Sequence, residues 1–219
     1  MTRRPLILAV LVLAVTMFAA AGWYTTRPAP RADATPVASE TVNALVRSYT
    51  PILGPEDAPV TVVEFFDPAC ESCRAFYPIV KDIMAEHGEA VRVAIRYAPF
   101  HGDVSELAIR ALEAARMQGV YAPVLEALLR EQGRWAAHGA TEPDLILKIA
   151  ATAGLDVEAA RTQMLAPDLA AILNQDRADI ETLGVRGTPT FFVNGKALER
   201  FGEAELRELV AAEVAAATR

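Results

Sequence analysis

Phe65-Phe66-Asp67-Pro68-Ala69-Cys70-Glu71-Ser72-Cys73-Arg74 contains both cysteines of a chain of 219 residues. Upstream, positions 60–66 are β-branched and aromatic, the composition of a strand buried on both faces. Downstream, positions 69–87 change to a helical period, with Phe76, Ile79, Val80, Ile83 and Met84 on one face. Pro78 interrupts that helix and is expected to kink it. The C-x-x-C therefore lies where a strand gives way to a helix. Residues at i and i+3 of a helix share a face, so the two thiols can reach one another. The helix start offers unpaired N–H groups to Cys70, expected to be the exposed thiol, and these favour its thiolate. Two thiols alone do not complete a zinc site, which takes four ligands. The pattern points to a redox-active dithiol. An inert structural disulfide and a two-thiolate copper(I) site stay open beside it.

Working outward, positions 91–97 alternate Val91, Val93, Ile95 with Arg92, Ala94, Arg96 and form a second strand. Strand–helix–strand implies a parallel pair with a right-handed crossover. Positions 103–183 carry only helical patterns, over 104–117, 121–130, 143–153, 157–165 and 169–183, punctuated by glycines and Pro167. Strand signals return at Thr190-Phe191-Phe192-Val193, where Asn194-Gly195 reads as a two-residue hairpin turn. A last helix begins near Ala204. The order is βαβ, a helical block, then ββα. The predicted fold class is α/β, with one sheet shared by the two halves and an all-helical insertion between them. The boundaries are 54–102 for the first half, 103–183 for the insertion and 184–219 for the second half.

Before residue 54 lie three further segments. Positions 1–24 begin with Arg3-Arg4 and continue as an apolar run from Leu6 to Tyr24. This reads as a signal peptide or an uncleaved transmembrane signal anchor; the length of the run favours the anchor. The bulk of the chain is then extracytoplasmic, on the periplasmic side, where disulfides persist. Cleavage at Ala19-Ala20-Ala21 would instead leave a soluble periplasmic protein. Positions 25–40, rich in Pro, Ala and Thr, read as a flexible linker. Positions 41–53 form a short helical lead-in with Val42, Leu45, Val46 and Tyr49 on one side. It packs on the domain or serves as a small oligomerisation helix.

Net charge is −7, with 53% hydrophobic and 22% charged residues. No basic concentration is present to neutralise phosphates, so a nucleic-acid partner is excluded as a generic role. No Ser-His-Asp set, phosphate loop or EF-hand spacing occurs. His101 follows a strand, either near the cysteines or solvated in its loop.

The pattern resembles the thioredoxin superfamily and, within it, the DsbA-like thiol–disulfide oxidoreductases. The resemblance rests on 58–67 leading into the C-x-x-C, on Gly184-Val185-Arg186-Gly187-Thr188-Pro189-Thr190-Phe191-Phe192-Val193-Asn194-Gly195, and on the helical insertion. It implies a thioredoxin fold over 54–217 and an enzyme that exchanges disulfides with protein thiols. Cys70 would be the nucleophile and Cys73 the buried resolving thiol. Pro189 would be cis against the dithiol, with Thr188 offering its backbone to substrate polypeptide. Glu64 stands where relatives often hold a buried acid. It is either an acid tolerated at a strand end or a proton shuttle to Cys73. No cofactor or metal is required beyond the redox-active disulfide Cys70–Cys73. Partners would be polypeptides with thiols or disulfides, a membrane redox protein that recycles the pair, and the membrane itself through the N-terminal segment. The substrate would lie between the C-x-x-C, the Thr188–Pro189 loop and the insertion.

One feature departs from the family pattern. Glu71-Ser72 separates the cysteines where many relatives have Pro-His or another non-acidic pair. An acidic neighbour disfavours the Cys70 thiolate, so a potential below that of the strongest oxidants is expected. Direction stays open: Glu71-Ser72 and Thr188 point to a reductase or isomerase, the overall layout to an oxidase. From another class, a tethered chaperone or copper-handling module on the same scaffold is the alternative.

Overall fold

The computed structural model describes residues 44–136 and 143–218. The N-terminal hydrophobic segment, the linker and His138 lie outside the described residues. Among those described, no helix is long and apolar enough to cross a membrane.

The strands are β1 (Ile52–Leu53), β2 (Val60–Phe66), β3 (Val91–Tyr97), β4 (Thr190–Val193) and β5 (Lys196–Ala197). They form one sheet in the order β1-β3-β2-β4-β5. β2 and β3 run parallel, from Val60 opposite Val91 to Phe66 opposite Tyr97. β4 pairs antiparallel with β2, and β5 with β4. The helices are α1 (Glu71–His87), α2 (Asp103–Met117), α3 (Tyr121–Arg130), α4 (Gln132–Trp135), α5 (Pro143–Thr152), α6 (Val157–Gln163), α7 (Pro167–Leu183) and α8 (Glu203–Ala217). The α/β order read from the sequence is the one observed, and α1 continues through Pro78. β1 is an addition: two residues are too few to make a pattern, yet they pair antiparallel with β3 at Ala94 and Val93.

Alternation along the strands divides the core. Val60, Val62 and Phe66 of β2 join Val91, Val93, Ile95 and Tyr97 of β3 on the face covered by Val80 and Ile83 of α1 and Leu206 and Val210 of α8. The insertion extends this core around Leu112, Leu125, Leu128 and Trp135. On the other face Val63, Phe65, Ala94, Ala98 and Phe192 pack with Leu45, Ile180 and Val185. Leu45 thus docks its segment onto the sheet.

Arg96 faces the second side and is wholly buried. Its Nη2 lies 2.7 Å from Asp176 Oδ1 and 2.6 Å from Asp179 Oδ2, both on α7. Another bond runs to the Ala44 carbonyl. Arg47 reaches Asp179 at 2.6 Å and Tyr49 donates to Asp176 at 2.7 Å. Asp176 Oδ2 accepts the Tyr97 backbone N–H at 3.1 Å. The lead-in, β3 and α7 are therefore tied by a paired, hydrogen-bonded charge network, the condition under which buried charge is tolerated.

Two backbone turns set the ends of β4. Gly184 closes α7 at φ 67°, ψ 27°, and Val185 N–H returns to the Ile180 carbonyl at 3.0 Å. This left-handed stop aims the chain into the 185–189 loop. Asn194 (φ 48°) and Gly195 (φ 84°) form the hairpin turn, both in the positive-φ region that such a turn requires.

Candidate active site

β2 delivers the chain to 67–70, and α1 starts immediately after Cys70, which is its N-cap at φ −77°, ψ 123°. Both thiols are free. Cys70 is more enclosed than the expected exposed thiol, at 7% exposure, because the 185–189 loop covers it. Its Sγ lies 3.3 Å from the Thr188 carbonyl oxygen. The Thr188–Pro189 bond is cis, the form implied by the family resemblance, with Pro189 buried and Thr188 half-buried. Cys73 is fully buried one turn into α1. Its sulfur accepts the Asp67 N–H at 3.5 Å.

The two thiols differ in acidity. A hydrogen bond from the Cys73 thiol pulls the Cys70 pKa down to about 5, against burial and with help from Thr188 and the backbone N–H groups of Cys73 and Ser72. Burial pushes the Cys73 thiol far above the ordinary thiol range, reinforced by its bond to Cys70 and the charge of Glu64. Only Cys70 is a thiolate at neutral pH, the asymmetry that nucleophile and resolving thiol need.

Glu64 is not at a strand end. It lies within β2 at 1% exposure, on the α1 side with Val62 and Phe66. Burial, with the Cys70 charge second, raises its pKa to about 8. Glu71 and Ser72 are exposed. The largest influences on the Cys70 pKa are the donors around the sulfur and burial, and these outweigh the expected acidic penalty from Glu71. Cys70, Cys73, Thr188, Pro189 and Ser72 converge, with Glu64 beneath and Glu71 at the rim. Ser72, Thr188 and Pro189 also line a groove with Leu198 and Phe201, of about 260 Å³.

Three further residues organise the site. Asp67, wholly buried, accepts the Ala69 N–H at 2.9 Å through Oδ1. Its Oδ2 accepts the N–H groups of Phe100 (2.8 Å) and His101 (3.1 Å), and His101 Nδ1 lies 2.8 Å away. His101 is thus beside the site while 38% of its side chain meets solvent. Gln132, buried, donates from Nε2 to the carbonyls of Pro68 (2.8 Å) and Cys70 (2.9 Å). An Asp ahead of Pro at a strand end is a legible turn signal. Gln132 has none, since its role depends on where the insertion folds back. Among the described residues, no cluster of three or more His, Cys, Asp or Glu is arranged to hold a metal ion.

A thioredoxin family model matches residues 47–212. A thioredoxin-like oxidoreductase from Silicibacter pomeroyi DSS-3 superposes with a TM-score of 0.68 at 33% identity, covering 78% of this chain and 95% of that one. The Bacillus subtilis protein named disulfide bond formation protein D is 28% identical over 172 residues, 75% of this chain and 77% of its own length. A Na(+)/H(+) antiporter NhaA of Herminiimonas arsenicoxydans is 35% identical over 147 residues; the match takes in 67% of this chain and spans only 22% of that longer protein. Fold, dithiol placement and these likenesses agree: the chain belongs to the thioredoxin family.

Proposed function

We propose that this protein is an extracytoplasmic thiol–disulfide oxidoreductase that donates the Cys70–Cys73 disulfide to polypeptide thiols. The observation that carries the reading is the dithiol itself: Cys70 at the start of α1, in contact with Thr188 and bonded to a buried Cys73. A substrate thiolate attacks Cys70 Sγ. The Cys70–Cys73 bond breaks with its electron pair on Cys73, which takes a proton from Glu64. A second substrate thiolate attacks the substrate sulfur of the mixed disulfide and expels Cys70 as a thiolate. The substrate leaves oxidised by two electrons and the enzyme is reduced. A membrane redox protein, acting as oxidant, restores the disulfide.

The donating direction rests on the acidity of Cys70, a good leaving thiolate, and is supported by the name of the Bacillus subtilis relative. The arginine pair and apolar run of 1–24 support export and anchoring. Substrate polypeptide lies along the Ser72, Thr188 and Phe201 groove.

Equilibration with glutathione tests the reading. The expected potential falls between those of thioredoxin, about −270 mV, and DsbA, about −120 mV. A value at or below thioredoxin's overturns the donating direction. Cys70→Ser is expected to abolish oxidation of a reduced model polypeptide, and retained activity overturns the enzyme reading.

A further inference from the structure

We propose that Gln132 is a positioning residue for the dithiol: its buried amide, donating to the carbonyls of Pro68 and Cys70, holds the loop before α1 so that the first N–H groups of the helix face Cys70 Sγ. The inference rests on the oxidoreductase reading and deepens it.

The loop from Asp67 to Cys70 is held on two sides. On its donor side, Ala69 N–H is taken by the Asp67 carboxylate and Cys70 N–H by the Asp67 carbonyl at 3.0 Å. On its acceptor side stands Gln132. One amide nitrogen within 3 Å of two carbonyl oxygens fixes the orientation of the side chain, because the flipped amide would set oxygen against oxygen. The residue sits at 1% exposure on α4. That short helix is anchored by Trp135, fully buried, whose Nε1–H donates to the Leu128 carbonyl at 2.8 Å. The donor is thus mounted on a rigid support, as precise positioning needs.

Its effect on chemistry follows from the carbonyls it binds. The Cys70 carbonyl already accepts Arg74 N–H at 3.1 Å as the first bond of α1. A second donor on that oxygen withdraws negative potential from the residue bearing the thiolate. Without it, the Pro68 carbonyl loses its buried donor and the Cys70 carbonyl keeps only the Arg74 N–H. The peptide planes on either side of Ala69 and Cys70 then turn toward other partners. The backbone N–H groups of Ser72 and Cys73, which lower the pKa of Cys70, lose their aim. The reduced form is stabilised less, and the couple becomes more reducing.

The test compares full-length wild type with Gln132→Met, which keeps the length of the side chain and removes both donors. Glu64, Asp67, Cys73 and the exposed Glu71, Arg74 and His101 are retained. In equilibrium with glutathione, the variant is expected to shift about tenfold toward its disulfide, equivalent to about 30 mV. The midpoint of Cys70 alkylation is expected to rise from near pH 5 to about pH 6. A glutathione equilibrium within twofold of wild type overturns the assignment, even if the melting temperature falls. Leu45→Ala is the control: it removes a buried contact on the opposite face of the sheet, without touching α4 or the loop, and is expected to lower the melting temperature alone. If it moves the equilibrium as far as Gln132→Met, the effect belongs to packing and the assignment falls. Should Gln132→Met not fold, Gln132→Glu replaces it. Its carboxyl donates one hydrogen bond when protonated and none when ionised, so its equilibrium must move the same way. The readout is a difference between variant and wild type. A wild-type potential outside the donating range defeats the proposed direction and leaves the test of Gln132 intact.

Discussion

Glu64 holds a carboxyl oxygen that no hydrogen-bond donor reaches among the described residues, in the middle of a strand with apolar neighbours. Burial raises its pKa from 4.5 to about 8. The unfolded chain therefore releases this proton at lower pH than the folded one does. Native stability from the neutral acid is complete below about pH 4.5 and is lost as the pH rises through 8. At pH 7 the burden is about 3 kcal/mol, from about 1.36 kcal/mol per pH unit. Glu64→Gln is expected to stabilise the reduced protein by about 2–3 kcal/mol at pH 7 and by almost nothing at pH 4. Urea unfolding at the two pH values checks this, and an equal gain at both would count against it. If Glu64 supplies the proton that Cys73 needs, the same change also slows the step in which a substrate thiolate enters the disulfide. A residue that costs stability and sets the rate of one proton transfer is the kind that function retains.

Between β3 and α7 the structure places charge where a strand pattern expects solvent. Arg96 alternates with Ile95 and Tyr97 as an outward residue should, yet it meets Asp176 and Asp179 of α7 and is sealed by the lead-in. Removing one partner from a buried pair strands the other charges. Arg96→Met is expected to cost about 3–5 kcal/mol, measured as a lower urea midpoint with unchanged slope. A loss below about 1 kcal/mol would mean that solvent reaches the aspartates freely. The same elements show what sequence can carry. β2, α1, β3 and the hairpin were legible because period and turn chemistry are local: Val60–Phe66 and Val91–Tyr97 were read to the residue. The C-x-x-C and the 184–195 loop were legible because each is contiguous. Arg96 with Asp176, the two-residue β1 and Gln132 were not, because each is defined by a partner far along the chain.

For the molecule as a whole, the acidity of Cys70 links redox state to stability. A thiol whose pKa is lowered by folding stabilises the folded reduced protein above its unfolded pKa, and that contribution is lost as the pH falls through about 5. The disulfide form has no such dependence. The stability of the reduced protein relative to the oxidised one is therefore expected to drop by about 2 kcal/mol between pH 7 and pH 4, allowing for solvent at the sulfur. Parallel urea titrations of the two forms measure it, and a gap independent of pH would show that the thiolate is not stabilised by the fold. The contact between Cys70 and Thr188 joins residues 118 positions apart. In time, that separation is a delay. At about 5–20 residues per second, the ribosome adds Thr188 roughly 6–24 s after Cys70. Throughout that interval the nascent chain carries both thiols without the loop that shelters the first of them. The finished reactivity of Cys70 thus waits on a residue made well after it.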